Sequence, residues 1–104
     1  MDNFYCTENQ KISLKGSWGD SYISYLVAKI SVCKNETENG TCASPEEIKE
    51  FIKKDIYYWN IYYQNTNINP KIQLNKSEHI MIHSQDNSIE FKPSRKSLVH
   101  FIDK

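Results

Sequence analysis

"SYISYLVAKISV", residues 21–32, is the stretch on which the fold turns. Read at a period of two, Ser24, Leu26, Ala28, Ile30 and Val32 share one face, and Ile23, Tyr25 and Val27 share the other. A strand that is apolar on both faces belongs in the middle of a sheet. The same residues also fit a helix, but their β-branched and aromatic content favours the strand. A central strand is therefore expected here. Just upstream, Ile12 and Leu14 alternate before Gly16 and Gly19, the pattern of a strand that ends in a turn.

Downstream, "SPEEIKEFI" opens a helix. Ser44 is the N-cap, Pro45 takes the first helical position, and Glu47 completes a capping box. Glu46 and Glu47 also suit the positive end of the helix dipole. Ile48, Phe51, Ile52 and Ile56 recur at helical spacing, while Lys49, Lys53 and Lys54 form the solvated side. The spacing predicts a helix over about 45–55. "DIYYWNIYYQNTNINP" then changes character, because tyrosine and isoleucine favour strands. Residues 56–63 read as a strand, and the Asn-rich run to Pro70 as a loop. Shorter strands follow at Ile72–Asn75, His79–Ser84 and Ser88–Lys92, with "SQDNS" as a hairpin turn. Pro93 ends the pairing, and residues 97–103 make a last strand. The whole reads as one α+β domain, 1–104, with one main helix packed on a largely antiparallel sheet.

Charge and composition exclude several classes. Thirteen basic residues balance thirteen acidic ones, so the basic excess that displaces counterions from nucleic acid is missing. No apolar run is long enough to span a bilayer, so a membrane is met only through segments outside this sequence. The opening "MDNFYCTENQ" lacks the apolar core of a signal peptide. If the protein is extracellular, the chain is then expected to be a fragment of something longer or to begin at a misassigned start. Hydrophobic residues are 38% of the chain, a thin supply for a core, which a covalent staple would help.

"CKNETENGTC", residues 33–42, offers that staple. Cys33 at a strand end and Cys42 beside the helix cap close a short loop, as a disulfide requires. Closing ten residues is worth about 2.7 kcal/mol on chain entropy. Cys6 is left over for an intermolecular bond, a partner elsewhere, or a free thiol. Asn35, Asn39 and Asn75 each begin an N-x-[ST] sequon, two of them inside this loop. The competing reading is a cytoplasmic chain with three reduced thiols.

The run "YLVAKISVCKNETENGTCASPEEIKEFI" followed by "IYYQNTNINP" resembles the ectodomains of ciliate membrane proteins of unknown function, over roughly residues 20–75. The pattern is a strand, a cysteine, an Asn-rich loop, then a cysteine and a Ser-capped acidic helix. Here Cys33, Cys42, Ser44, Glu46, Glu47 and Ile48 carry it. The resemblance implies a compartment and an anchor, not a reaction.

Two stretches could bind ligands. In "HIMIH", His79, Met81 and His83 share one strand face, and His100 could add a further nitrogen to a copper site. The plainer reading puts Ile80 and Ile82 inward and the histidines in water. "YYWNIYY", residues 57–63, could stack sugars or bases, although the neutral charge speaks against nucleic acid. The plainer reading divides its rings between core and surface. No motif arranges a nucleophile, an acid–base pair or a phosphate loop, so no catalytic residue and no cofactor is expected. The sequence thus points to a non-catalytic extracellular or lumenal domain with a structural or recognition role. It would be stapled and glycosylated, with another protein or a second copy as partner. The alternative is a small intracellular enzyme or adaptor subunit.

Overall fold

The computed structural model describes residues 3–15, 20–32, 41–63, 68–94 and 98–101. In chain order the elements are β1 (Asn3–Ser13), α1 (Ser21–Lys29), β2 (Ile30–Val32) and β3 (Thr41–Cys42). There follow α2 (Pro45–Tyr62), β4 (Lys71–Leu74), β5 (Ile80–Ser84), β6 (Asn87–Pro93) and β7 (Leu98–Phe101). The α+β class expected from the sequence is the one observed. The expected architecture differs in three ways.

Residues 21–32 are not one strand. Asp20 caps a helix, its Oδ1 accepting the Tyr22 and Ile23 N–H groups at 2.8 and 3.1 Å. From there Tyr22, Ile23, Leu26 and Lys29 fall on one side of α1 and are buried. The helix passes into β2 with no loop, as the Ile30 N–H closes its last turn. The helical phase wins because it buries Tyr22 with Ile23 and Leu26; a strand would place Tyr22 with Ser24 on the opposite face from Ile23. Packing overrides the β propensity of the individual residues.

The main helix does not stop near residue 55. It runs to Tyr62, through the stretch expected to be a strand. Its start is as read: Ser44 Oγ accepts the Glu47 N–H at 3.2 Å, and Glu47 Oε1 accepts the Ser44 N–H at 2.9 Å. Ile48, Ile52, Asp55 and Ile56 are its buried stripe, and Trp59 packs half-buried beyond them. Asn60 then fixes the far end, donating to the Ile68 carbonyl at 2.7 Å and accepting the Ile68 N–H at 2.8 Å.

The third difference is one parallel pair in a sheet that is otherwise antiparallel, as expected. Seven strands join, in the order β3-β7-β1-β6-β5-β4, with β2 also paired to β1. β1 and β2 are parallel, so β1, α1 and β2 form a crossover unit. Tyr5 is paired with Ile30 and with Val99, and Thr7 with Val32 and with Pro93. β2 therefore lies along one side of β1, and β6 and β7 succeed one another along the other. The register slips between Thr7 and Asn9. There the buried Thr7 hydroxyl donates to the Lys92 carbonyl at 2.9 Å and accepts the Asn9 N–H at 3.1 Å, which satisfies the bulge.

The C-terminal strands lie close to where the pattern put them. Gln85 takes a left-handed φ of 55° in the turn between β5 and β6, where Ser84 pairs with Asn87. Pro93 is the last residue of β6, opposite Thr7, so pairing reaches it and does not stop short. Ile80, Ile82, Ile89 and Phe91 face the helices and are fully buried. They join Tyr5, Tyr22, Ile23, Leu26, Ile48 and Ile52 in one core cluster. The opposite face of the sheet is polar, with Lys92 Nζ 3.1 Å from Glu8 Oε1.

Candidate functional site: a buried tyrosine cluster beside an aromatic helix face

Where α1 crosses α2, one carboxylate collects three donors. Tyr22 donates its hydroxyl to Asp55 Oδ2 at 2.9 Å, and Tyr25 reaches Oδ1 at 3.4 Å. Lys29 Nζ lies 3.1 Å from Oδ1, with both side chains buried. Spacings of three and four residues along α1 put Tyr22, Tyr25 and Lys29 on the side that meets α2. Asp55 sits inside the apolar stripe of α2, where a charge needs partners to be tolerated. The Lys29 ammonium also lies 4.4 Å from the centre of the Tyr25 ring, at cation–π distance.

Electrostatics follow the geometry. Burial pushes the Tyr22 phenol far above its ordinary value, and the Asp55 charge and hydrogen bond add to this. Tyr5 is pushed up likewise, first by burial, then by Asp55 and Tyr25. Burial is also the largest influence on Tyr25, which is raised although Lys29 opposes the change. Burial pulls Lys29 down, but Tyr25 and Asp55 together leave it above the usual lysine value. The Tyr5 hydroxyl and the Trp59 indole N–H are buried and find no hydrogen-bond partner among the described residues. The cluster is thus a charge-neutral knot that pins α1 to α2, with its phenols held protonated.

An aromatic chain leads outward from it. Trp59 meets Tyr22 edge-to-face and Tyr25 at a tilt, with ring centres 5.3 and 4.4 Å away. Tyr63 lies 4.3 Å from Trp59, and Tyr62 lies 5.0 Å from Tyr63. At about 100° per residue, Tyr57, Tyr58, Ile61 and Tyr62 span an arc of about 140° on the solvent side of α2. Their exposures are 62, 55, 54 and 79%. The seven-residue run therefore divides by helical phase: Trp59 turns inward and Tyr57, Tyr58 and Tyr62 outward. A groove of about 280 Å³ lies between α2 and the β4 side, lined by Lys53, Ile56, Asn69, Pro70 and Ile72.

The residues singled out in the sequence lie elsewhere. His79, Met81 and His83 do share the outer face, with Ile80 and Ile82 buried behind them. His79 Nδ1 is 2.8 Å from Glu90 Oε2, Met81 pairs with Gln73 and Glu90, and His83 is exposed. The His100 side chain lies outside the described ones. Among the described residues no three His, Cys, Asp or Glu side chains gather as a metal site. Asn75 is in the turn between β4 and β5, where its Oδ1 accepts the Ser77 and His79 N–H groups at 2.8 and 2.9 Å. Asn35 and Asn39 lie outside the described residues.

The expected Cys33–Cys42 bond falls on side chains outside the described residues. Cys6, read from the sequence as the odd one, is disulfide-bonded.

Sequence reasoning missed Asp55, Lys29, Tyr22 and Tyr25. Two signals pointed to them: the spacing of 22, 25, 26 and 29, and an acidic residue inside the apolar stripe 48, 52, 56, 59. Among the described residues no helix is long and apolar enough to cross a membrane. No curated protein and no solved structure matches the chain. One family model does, over residues 1–102, nearly the whole length: the chain belongs to the family described as the N-terminal domain of an uncharacterised 80 kDa protein.

Proposed function

We propose that the chain is a non-catalytic recognition and structural domain of a larger protein in an extracellular or lumenal setting. The observation that carries this reading is a change of character along the solvent side of α2. Its first half shows Glu46, Glu50, Lys53 and Lys54 to water, and its second half shows Tyr57, Tyr58, Ile61 and Tyr62. A surface selected only for solubility has no reason to exchange charge for rings halfway along one helix. Tyrosine is also enriched at protein interfaces, since it pairs a large apolar body with a polar tip.

Further observations fit. Tyr22, Tyr25, Lys29 and Asp55 satisfy one another, so they serve packing rather than a reacting ligand. The family is described as one part of an 80 kDa protein, and this chain is 12.2 kDa. A disulfide at Cys6 and the sequons at Asn35, Asn39 and Asn75 favour an oxidising compartment, as does the resemblance to ciliate ectodomains.

Hydrogen exchange tests the reading on protein purified from its natural source. Peptides covering residues 57–63 should exchange more slowly there than in the isolated 104-residue chain. Equal rates would mean a solvated face and would end the recognition reading. Mass spectrometry of the same material tests the setting. Thiols that alkylate without prior reduction, with no mass change after glycosidase, would instead favour the intracellular alternative.

A further inference from the structure

Resting on that recognition reading, we infer that the tyrosine face of α2 seats another part of the same polypeptide, a region of the larger protein beyond this domain. Area argues first. At roughly 150–250 Å² per aromatic side chain, the exposures of Tyr57, Tyr58 and Tyr62 leave on the order of 400 Å² of ring surface in water. A stable complex of separate proteins buries about 800 Å² on each partner. The face falls short of that. It suits a contact between regions of one chain, where interfaces start near 600 Å² in total over both sides. A tether supplies the rest, because a short linker holds its two ends at effective concentrations in the millimolar range.

Charge argues second. Tyr57, Tyr58, Ile61 and Tyr62 carry none, and the charges one turn before them are of both signs: Lys54, in line with the rings, and Glu50, 3.4 Å from Lys53. A face that must capture a diffusing partner gains from a field that steers it; a tethered one does not. Mass argues third. A 12.2 kDa domain in an 80 kDa family leaves most of the polypeptide available as the occupant. The occupant's chemistry follows from the rings: an apolar segment edged by hydrogen-bond acceptors for the phenol hydroxyls.

The test compares three samples by hydrogen exchange and sedimentation. These are the polypeptide encoded by the uninterrupted reading frame, the same polypeptide with Tyr58→Ser and Tyr62→Ser, and the 104-residue chain. The expected result is at least tenfold slower exchange over residues 57–63 in the long form, unchanged across a hundredfold range of concentration. The double variant should lose that slowing and also speed exchange in one distant segment, the occupant. Both exchanged side chains are exposed, so the β5 and β6 peptides should keep their protection and show that the domain stays folded. Slowing that rises with concentration and tracks a dimer would overturn the tether and leave recognition standing, with a second copy as partner. A reading frame that ends at residue 104 would overturn the tether as well. No slowing in any sample overturns both proposals.

Discussion

Deleting the same atom from two neighbouring tyrosines should change stability in opposite directions. Tyr5 and Tyr22 are both fully buried, and both hydroxyls lie near Asp55. Tyr22 donates to Asp55 Oδ2 at 2.9 Å, whereas Tyr5 finds no partner among the described residues. A hydrogen bond to a charged group contributes about 1.5–3 kcal/mol, so Tyr22→Phe is expected to cost about that much. An unsatisfied buried polar atom costs about 1–3 kcal/mol, so Tyr5→Phe should return part of that and stabilise. Neither change opens a cavity beyond one oxygen. The two variants should then differ by about 3 kcal/mol, a large share of the total for a small domain. At about 4–8 °C per kcal/mol, their melting temperatures should separate by well over 10 °C. Urea unfolding and thermal melts followed by circular dichroism read both quantities. If Tyr5→Phe destabilises as much as Tyr22→Phe, the Tyr5 hydroxyl has a partner and the accounting of the knot is wrong.

Three further outcomes are expected. Lys29→Met or Asp55→Leu alone strands one buried charge and should cost about 3–5 kcal/mol, while the double variant should recover only part of it, since it still leaves the buried Tyr22 hydroxyl unpaired; additive costs in a double-mutant cycle would refute the pairing. Asp20→Ala removes the α1 cap and the 2.8 Å bond from Ser84 Oγ, and urea midpoints should report a loss of about 1–3 kcal/mol. A cost within error of zero would show that the cap is dispensable. The raised Tyr5, Tyr22, Tyr25 and Lys29 values mean that the fold binds more protons than the unfolded chain above about pH 10. Their contribution is complete below that pH and lost as pH climbs through the folded values. Phenolate absorbance should therefore show Tyr5 and Tyr22 ionising together with unfolding; a smooth titration of all seven tyrosines in the folded state would contradict this.

The parts of the fold governed by local rules were legible. Ser44, Pro45 and Glu47 marked the start of α2, and the alternation in "HIMIH" placed Ile80 and Ile82 inward. The parts governed by tertiary contact were not. Residues 21–29 and 56–62 are rich in strand formers and are nonetheless helical, because Tyr22 and Tyr25 of the first pack against Trp59 of the second. Tyr22, Tyr25 and Trp59 meet only once both segments are helices. A reading that took each segment alone lacked the term that decides both. The candidate site was hidden for the same reason, since Asp55 and Lys29 lie 26 positions apart and mean nothing to each other until the helices cross. Spacing offered only the near pair of cysteines, while the parallel pairing that brings Cys6 into register with Ser31 depends on β1 meeting β2, which no local rule shows.

The knot and the outer face are joined through rings, and that junction bears on how the face works. Tyr22, Tyr25, Trp59, Tyr63 and Tyr62 form an unbroken series of contacts from a fully buried ring to one 79% exposed. An exposed tyrosine normally gives up rotamer freedom when a partner covers it, at about 0.5–1.5 kcal/mol for each flexible side chain. Here Tyr63 rests on Trp59, which packs on the Asp55-bonded Tyr22 and Tyr25, so part of that ordering is complete before anything binds. The strain of placing strand-favouring residues in a helix and the burial of a charged group then have a common rationale. Both set a small aromatic surface in a fixed shape, and a small surface depends on that more than a large one does.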